Sequence, residues 1–382
     1  MKKKRKVCVV SSSRADYNHL YTLMSNLKVS SNFTLQLIVT GMHLLPQYGS
    51  TYKEILADGF TIDGKIKSNQ KDTKKSSILD SIGNQLQNCA NILNKLKSDM
   101  IILLGDRYDI LPIAIACHIC RIPLVHIHGG EVTHGVIDDS IRHMITKMAD
   151  LHLVADKNFK RRVIQLGENP KKIFNIGSLG VDAIKETKFQ TRKKLYQLYR
   201  IPNKKDYIII SLHPETTNNN NKLLITNLLK ALEHNPQYFY IFTYPNSDSD
   251  SDTILKSIKS FIKRNNSSTL IKSAGRTDYL SLVKYSYALI GNSSSGLVEA
   301  PALNIPSINI GNRQAGRPVA TSVLSCDGTI KQISKALRNI YMIKKNKTVS
   351  YKGKNKIKTI LKILQTINLS DIKSKKFYDI NQ

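Results

Sequence analysis

Residues 100–143 read MIILLGDRYDILPIAIACHICRIPLVHIHGGEVTHGVIDDSIRH, and two short apolar runs organise this stretch. The first run, residues 100–104, ends in Gly105-Asp106-Arg107, and the second, residues 123–127, ends in His128-Gly129-Gly130-Glu131. Short apolar runs separated by a helix-like segment are typical of parallel strands in an α/β sheet. Ligands bind beyond the carboxyl ends of such strands. We therefore expect the polar residues after both runs to meet in one crevice.

Alternating apolar runs and helical periodicity continue on both sides of this stretch. Strands are predicted at residues 7–10, 35–39, 100–104, 123–127, 151–154, 172–176, 207–212, 238–242, 269–272, 287–290 and 307–310. This alternation predicts one α/β domain over residues 1–180 and a second over residues 181–352. Residues 183–206 are expected to be a linker with one helix.

Three further segments carry predictions of their own. Residues 44–75 are polar and contain glycine, so we expect a mobile lid or loop with a short helix near residues 52–57. Amphipathic helices are predicted at residues 328–344 and 353–367, and the second of these belongs to a C-terminal segment, residues 353–382.

Composition and charge limit the class of protein. The formal net charge of the 382 residues is +30, but lysine is spread along the whole chain without an arginine-rich or aromatic-interleaved patch, so we expect no nucleic-acid partner. The excess charge would still attract an anionic nucleotide. No run of about 18 apolar residues occurs, and no apolar signal core follows the basic start, so we predict a cytoplasmic protein without a membrane partner.

The five cysteines are scattered, which favours reduced thiols. Cys117 and Cys120 form a CxxC pair inside an apolar helical segment. We interpret both as small core residues, because the sequence supplies no partner for a redox or metal role.

Two strand-to-helix turns are rich in serine. Ser11-Ser12-Ser13-Arg14 follows the first strand, and free backbone N–H groups at a helix start bind anions; alternatively, Ser13 is a plain N-cap. Residues 291–296, GNSSSG, join another strand to a helix and suit a pyrophosphate, or they form a serine-rich cap. Glu299, one turn later, could accept two hydrogen bonds from a ribose diol.

Arginine and histidine supply the remaining candidates. Arg313 and Arg317 follow the last strand and are forked donors suited to phosphate, as are Arg14 and Arg107 in the first half. His213 ends a strand, and Asn246 is a weaker candidate for the same site. Five of the ten histidines fall between residues 126 and 152. No HExxH or comparable spacing occurs, so acid–base work is favoured over a metal site, and we expect no metal and no other cofactor.

The chain resembles the hydrolysing UDP-N-acetylglucosamine 2-epimerases of bacterial sialic-acid synthesis. The resemblance covers nearly the whole chain in order. It is carried by the stretch above and by SSSRADY at 11–17, VTGMH at 39–43, IGSLG at 176–180, HPET at 213–216, GNSSSGLVEAP at 291–301 and NIGNRQAGR at 309–317. It implies an α/β fold of two Rossmann-like domains facing a cleft, the GT-B architecture, with the last helix returning to the first domain. It also implies a homodimer or homotetramer.

The resemblance further implies a reaction and a set of residues. UDP-N-acetylglucosamine and water would give N-acetylmannosamine and UDP, through loss of UDP and addition of water to a glycal. The implied catalytic residues are Asp106, His128, Glu131, Asp138 and Arg142. The implied contacts to UDP and the sugar are Arg14, Ala15, His43, Arg107, His126, His213, Asn246, Ser293, Ser294, Glu299 and Arg313.

Several alternatives stay open at this point. Some members of the family carry a catalytic Glu where this chain has His128, so the acid or base is His128, Glu131 or an Asp. Asp138 and Asp139 could instead cap a helix, and His126 could be a core residue. The sugar could be the 2,4-diacetamido-trideoxy sugar of legionaminic acid synthesis. The other functions considered are a GT-B glycosyltransferase and a basic nucleotide- or RNA-binding protein.

Overall fold

The computed structural model describes residues 4–203, 205–217, 220–343, 356–373 and 375–380. The first half is a parallel sheet in the order β3-β2-β1-β4-β5-β6-β7. Its strands are β1 Arg5–Ser11, β2 Phe33–Val39, β3 Gly64–Lys65, β4 Met100–Leu104, β5 Leu124–Ile127, β6 Leu151–Val154 and β7 Ile173–Asn175. Its helices are α1 Arg14–Val29, α2 Tyr52–Ala57, α3 Lys75–Leu96, α4 Leu111–Ile119, α5 Asp138–Met148, α6 Lys157–Gln165 and α7 Leu179–Lys185.

The second half is a parallel sheet in the order β10-β9-β8-β11-β12-β13. Helix α8, Arg192–Leu198, precedes it. Its strands are β8 Tyr207–Ser211, β9 Phe239–Thr243, β10 Ser268–Ile271, β11 Ala288–Gly291, β12 Ser307–Ile310 and β13 Val323–Cys326. The remaining helices are α9 Asn221–Glu233, α10 Ser251–Arg264, α11 Gly275–Tyr285, α12 Glu299–Ala302, α13 Ile330–Asn339, α14 Lys356–Thr366 and α15 Leu369–Lys373.

Both sheets are doubly wound, so the order in which strands are added reverses beside the first strand of each sheet. In the first sheet β1 lies between β2 and β4, and in the second β8 lies between β9 and β11. The crevice of such a sheet opens at this point, beyond the carboxyl ends of the strands. The predicted fold class, two Rossmann-like halves, is confirmed.

Most predicted elements are present, and the differences have local causes. The short helix expected near residues 52–57 is α2. Residues 183–206 contain α8 and also the end of α7, so the predicted linker begins inside a helix. Strands β3 and β13 were not predicted, because β3 has two residues and β13 is only partly buried. Helix α13 matches most of residues 328–344, whereas 344 and 353–355 lie outside the described residues.

The apolar cores explain why the strands read as continuous runs. The first sheet is covered on both faces, by one cluster that includes Val7 and Leu20 and by another that includes Cys8 and Ile113. Ile360 and Leu364 of α14 pack in the first of these clusters, so the C-terminal helix lies on the first half of the molecule. Within the described ranges no helix is both long and apolar enough to cross a bilayer.

The five cysteines are all free thiols. Cys117 is buried in α4, as predicted. The interpretation of Cys120 as a core residue is wrong, because α4 ends at Ile119 and Cys120 is exposed just beyond its end.

The two halves touch each other directly. Gln70 donates to the Ser247 carbonyl at 3.0 Å, and the backbone N–H of His134 donates to the Ala315 carbonyl at 3.1 Å. The N–H of Ile137 donates to the Thr216 hydroxyl at 2.8 Å. Hydrogen bonds therefore join the two halves across the cleft.

Gly291 is the position where the second sheet tolerates no side chain. Its φ is +141°, and a Cβ there would lie 1.9 Å from the carbonyl oxygen of Ser211 on the neighbouring strand. We expect Gly291→Ala to cost about 3 kcal/mol or more, because backbone strain adds to a clash with backbone. Gly83→Ala, in the middle of α3 with open space around it, should instead gain about 0.5–1 kcal/mol. Urea denaturation of both variants is the measurement, and equal midpoints would contradict the packing at Gly291.

Candidate active site between the two sheets

The turn after β1 is built around one carboxylate. Asp16 accepts hydrogen bonds from the backbone N–H groups of Ser12 at 2.6 Å and Ser13 at 2.7 Å, and from both hydroxyls. Ser13 is the N-cap of α1, in a capping box with Asp16. The cap interpretation is confirmed, and two backbone donors of the turn are thereby already used within the protein.

One pocket of about 920 Å³ opens between the halves, and we call it the serine pocket. It is lined from the first half by residues of the α1 start and from the second half by the loops after β8, β9 and β11. Predicted residues among its lining are Arg14, Ala15, His213, Asn246, Ser293, Ser294 and Glu299. The structure thus brings together residues that lie almost three hundred positions apart.

His213 is a fixed hydrogen-bond donor in the serine pocket. Its Nδ1 accepts from the backbone N–H of Asn246 at 3.0 Å, so the ring proton is on Nε2. Burial, followed by the charges of Arg313 and Arg107, lowers the pKa of His213 well below its usual value. The neutral ring already carries a proton on Nε2, so this N–H can donate a hydrogen bond to an anionic oxygen.

Glu299 has one carboxylate oxygen engaged and one free. Its Oε1 lies 3.4 Å from Nε2 of His19, and its Oε2 is buried without a hydrogen-bond partner. Burial would raise the pKa of Glu299, but His19, together with a backbone N–H and Ser295, lowers this pKa. An ionised carboxylate with a free buried oxygen is suited to accept from hydroxyl groups.

A second pocket of about 740 Å³ adjoins the first, and we call it the charged pocket. Its lining includes seven of the residues that the resemblance implied: Ala15, Asp106, Arg107, His128, Glu131, Arg142 and Ser294. Arg317, a candidate phosphate donor from the sequence, also lines it. The other polar lining residues are Ser13, Asp16, His19 and Ser178.

Glu131 is held from both halves of the molecule. Its Oε1 lies 3.0 Å from Nδ1 of His128, and its Oε2 lies 3.0 Å from Nη2 of Arg317. Burial alone would raise the pKa of Glu131, but Arg317 and His128 together hold it well below its usual range. Nε2 of His128 is buried and has no hydrogen-bond partner. The imidazole therefore has one nitrogen oriented by a carboxylate and one nitrogen free.

Arg142 organises the carboxylates beside this group. It is 1% exposed, and its Nη2 donates to Asp106 and, at 3.0 Å, to the Thr133 hydroxyl. Its Nη1 donates to the Glu131 carbonyl at 2.9 Å and to Asp139 at 3.0 Å. Burial would raise the pKa of Asp106, but the Arg142 guanidinium lowers it. Asp106 is therefore a fixed anion at the pocket wall.

Asp138 and Asp139 have different surroundings. The N-cap of α5 is Ile137, so the interpretation of the two Asp residues as its caps is wrong. Asp139 accepts from the Thr133 N–H at 2.6 Å and pairs with Arg142. Asp138 is buried, and burial, followed by the charges of Asp248 and Asp106, raises its pKa to about 7. Asp138 can therefore hold or release a proton near neutral pH, but it lies outside the lining of both pockets.

Arg107 and Arg313 are engaged within the protein. Arg107 donates to Asp109, Asp248 and Ser247, each at 3.0 Å, and two of these residues come from the second half. Arg313 donates to the Asn292 carbonyl at 3.3 Å and lies outside the lining of both pockets. A phosphate contact by either guanidinium would require an exchange of partners, and their role at a diphosphate stays a prediction.

Two predicted histidines lie behind the pockets. His43 lies between the hydroxyls of Ser11, at 2.9 Å, and Thr51, at 2.7 Å, and burial lowers its pKa to about 4. His126 contacts the Gly105 carbonyl at 2.7 Å, and burial lowers its pKa to about 3. Both rings are neutral, and they support the turns that carry the site residues without lining either pocket.

Asp16, His19 and Ser178 are absent from the predicted residues. A signal existed for Asp16, because Ser13 followed three residues later by an acid is the pattern of a capping box. None existed for His19, a single histidine on an amphipathic helix. In the part of the chain that the structure describes, no group of three or more His, Cys, Asp or Glu side chains is arranged to hold a metal ion.

Two Rossmann-like halves that close over a serine-lined pocket and a charged pocket define a GT-B type enzyme. The chain belongs to the UDP-N-acetylglucosamine 2-epimerase family, whose model matches residues 25–365. The family resemblance stated from the sequence is therefore confirmed.

Individual relatives agree with this assignment. The chain is 39% identical over 339 residues to a GDP/UDP-N,N'-diacetylbacillosamine 2-epimerase (hydrolyzing) of Campylobacter jejuni, which covers 88% of each protein. It is 40% identical over 322 residues to a polysialic acid biosynthesis protein of Escherichia coli, covering 84% of this chain and 82% of that one. The fold is shared with the crystal structure of UDP-GlcNAc 2-epimerase from Neisseria meningitidis bound to UDP-GlcNAc, with a TM-score of 0.80, 17% identity and coverage of 94% and 99%.

Asp138→Asn should change how stability depends on pH. The pKa of Asp138 is raised from 3.8 to about 7 in the folded protein, so the folded state binds this proton more tightly than the unfolded chain does. The contribution of Asp138 to stability is therefore favourable at low pH and is lost as the pH rises through about 4 to 7. The urea midpoint of Asp138→Asn minus that of the parent should therefore be larger at about pH 8.5 than at about pH 5, because the Asn side chain stays neutral. The exposed Asp80→Asn is the matched control, and a pH-independent difference for Asp138→Asn would contradict the raised pKa.

Proposed function

We propose that the protein is a hydrolysing UDP-N-acetylglucosamine 2-epimerase, which releases UDP and N-acetylmannosamine. One observation carries the proposal: the serine pocket and the charged pocket share four lining residues. Ser13, Ala15, His19 and Ser294 line both. With the nucleotide in the serine pocket and the sugar in the charged pocket, the bond that joins them would lie beside these four shared residues.

The serine pocket has the chemistry of a nucleotide diphosphate site. His213 offers an N–H, and the hydroxyls of Ser293 and Ser294 lie at the start of a 3₁₀ turn, Ser294–Gly296. We assign the diphosphate to these donors and to Arg14, and the ribose hydroxyls to the free oxygen of Glu299. Donors and a cation that are held in place stabilise the charge of a diphosphate, because they do not have to rearrange as the reaction proceeds.

The charged pocket has the groups that the sugar chemistry requires. The proton on sugar C2 has no adjacent carbonyl, so it becomes acidic only as the C1–O bond breaks and positive charge develops at C1. We assign the base to His128, because its Nε2 is free and Glu131 orients the ring through Nδ1. Glu131 is a poor base, since Arg317 holds its pKa low.

The second half of the reaction adds water to the glycal. The water oxygen adds to C1, and a proton adds to C2 on the face opposite to that from which His128 removed one. We assign this proton to Asp138, whose raised pKa keeps it partly protonated near neutral pH. The carboxylate that donates this proton then takes up the proton that the water loses. Asp106, paired with Arg142, supplies the fixed negative charge that favours positive character at C1.

A second substrate is favoured by the Campylobacter jejuni relative, whose name specifies diacetylbacillosamine, a 2,4-diacetamido-trideoxy sugar. The same two steps at C1 and C2 apply to this sugar, which would lead to legionaminic acid. The Escherichia coli relative, named for polysialic acid, favours the first substrate. A homodimer or homotetramer stays a prediction from the family resemblance.

The product assay decides between these substrates. Purified protein is incubated in heavy water with UDP-N-acetylglucosamine, its 2,4-diacetamido-trideoxy counterpart and UDP-glucose, without acceptor sugar or added metal, and followed by NMR. We expect free UDP and a 2-epimerised N-acetylhexosamine with deuterium at C2 from one of the first two. UDP release that requires an acceptor would favour a glycosyltransferase, and no release from any nucleotide sugar would reject the proposal.

Asp106→Asn and Glu131→Gln should separate turnover from nucleotide binding. Each removes a charge from the charged pocket, and neither residue lines the serine pocket, so kcat should fall by about 10²- to 10⁴-fold. The affinity for UDP, measured by calorimetry, should stay within about threefold of the parent. Exposed Asp80→Asn again serves as the matched control. A variant that turns over at the parent rate removes that residue from the mechanism.

A further inference from the structure

His19 occupies the junction of the two pockets. Of the four residues that line both, Ser13, Ala15, His19 and Ser294, it is the one with a side chain that can carry positive charge. It lies on the second turn of α1, and its side chain is 17% exposed. None of the reaction steps assigned above uses it.

The ring of His19 is held on three sides. Its Nε2 lies 3.4 Å from Oε1 of Glu299, and its plane stands at 84° to the ring of His128, with 5.8 Å between the centroids. On the third side is the backbone at Gly180, where a Cβ would lie 2.6 Å from Cε1 of His19. The imidazole is therefore confined to the space between the groups assigned to ribose and to the sugar.

Glu299 determines which nitrogen of His19 is the donor. The carboxylate is ionised and can only accept, so the contact at Oε1 requires a proton on Nε2. At 3.4 Å this contact is longer than a full hydrogen bond, so the same N–H remains available to a closer anionic oxygen. The free Oε2 of Glu299 stays available to the ribose.

We propose that His19 is a further catalytic residue, whose Nε2–H donates to the β-phosphate oxygen that leaves sugar C1. This inference rests on the proposed function. In the step, the C1–O bond breaks and its electron pair stays on the diphosphate oxygen, while the C2 proton passes to His128. His19 transfers no proton; it stabilises the negative charge that develops on the leaving oxygen. A donor aimed at developing charge accelerates only the step in which that charge appears.

The two half-reactions test this assignment separately. Release of UDP from the nucleotide sugar includes cleavage of the C1–O bond. Hydration of added 2-acetamidoglucal, measured with saturating UDP present, does not include it. The variants are His19→Ala, which removes the donor, and His19→Lys, which restores an N–H donor at this position. The control is His118→Ala, which removes an exposed histidine of α4.

We expect His19→Ala to slow UDP release by about 10²-fold and to leave glycal hydration within about threefold of the parent. His19→Lys should recover at least about tenfold of the lost rate of release, and His118→Ala should match the parent in both reactions. Equal rates of release in His19→Ala and parent would overturn the assignment. So would an equal loss in both half-reactions, since a structural role would slow both. If the parent protein neither releases UDP nor hydrates the glycal, the proposed function fails, and the role of His19 falls with it.

Discussion

The carboxylate of Glu131 is shared between the two halves of the molecule. One oxygen contacts His128 of the first half and the other contacts Arg317 of the second, each at 3.0 Å. A buried carboxylate is costly unless both oxygens are paired, and removing one partner of such a pair leaves an uncompensated charge that costs about 3–5 kcal/mol. The closed arrangement of the two sheets and the ionised state of Glu131 therefore depend on each other.

The same constraint recurs along the cleft with other residues. Arg107 of the first half donates to Ser247 and Asp248 of the second, and Glu299 of the second half contacts His19 of the first. Each contact places a charged group of one half beside a polar group of the other. In a GT-B enzyme this means that the chemistry cannot be complete in either half alone. Binding of the proposed substrate would use the same guanidinium and carboxylate groups as these contacts, which would link it energetically to the contacts between the halves.

Histidines in the stretch 126–152 show how neighbouring positions acquire different roles. His126 and His152 lie side by side on β5 and β6, are fully buried and have lowered pKa values caused by burial. His126 supports the Gly105 carbonyl, and His152 contacts Glu168 at 3.0 Å. His128 lies past the end of β5 with a φ of +66°, which turns it into the charged pocket. Two residues along the chain separate a structural histidine from the one that we assign as the base.

The sequence by itself determined the two parallel sheets, the serine-rich turns at their carboxyl ends and the family. Strand runs, helical periodicity and turn residues are local properties, so they can be read without knowing what packs where. Residues such as Asp106, Glu131 and Ser294 follow a strand, and that position alone predicts that they face the crevice. The resemblance then supplied their roles, which stay predictions until turnover is measured.

Only the tertiary structure decided which charges meet. The pairs Glu131–Arg317 and Arg107–Asp248 join residues more than 140 positions apart, and the neutral His43 and His126 are set behind the pockets by burial. The location of His19 follows from the side of α1 that faces the second sheet, and helical periodicity does not reveal which neighbour an amphipathic helix will contact. Pairing and desolvation depend on how two separately folded sheets come together, and that information is not local in the chain.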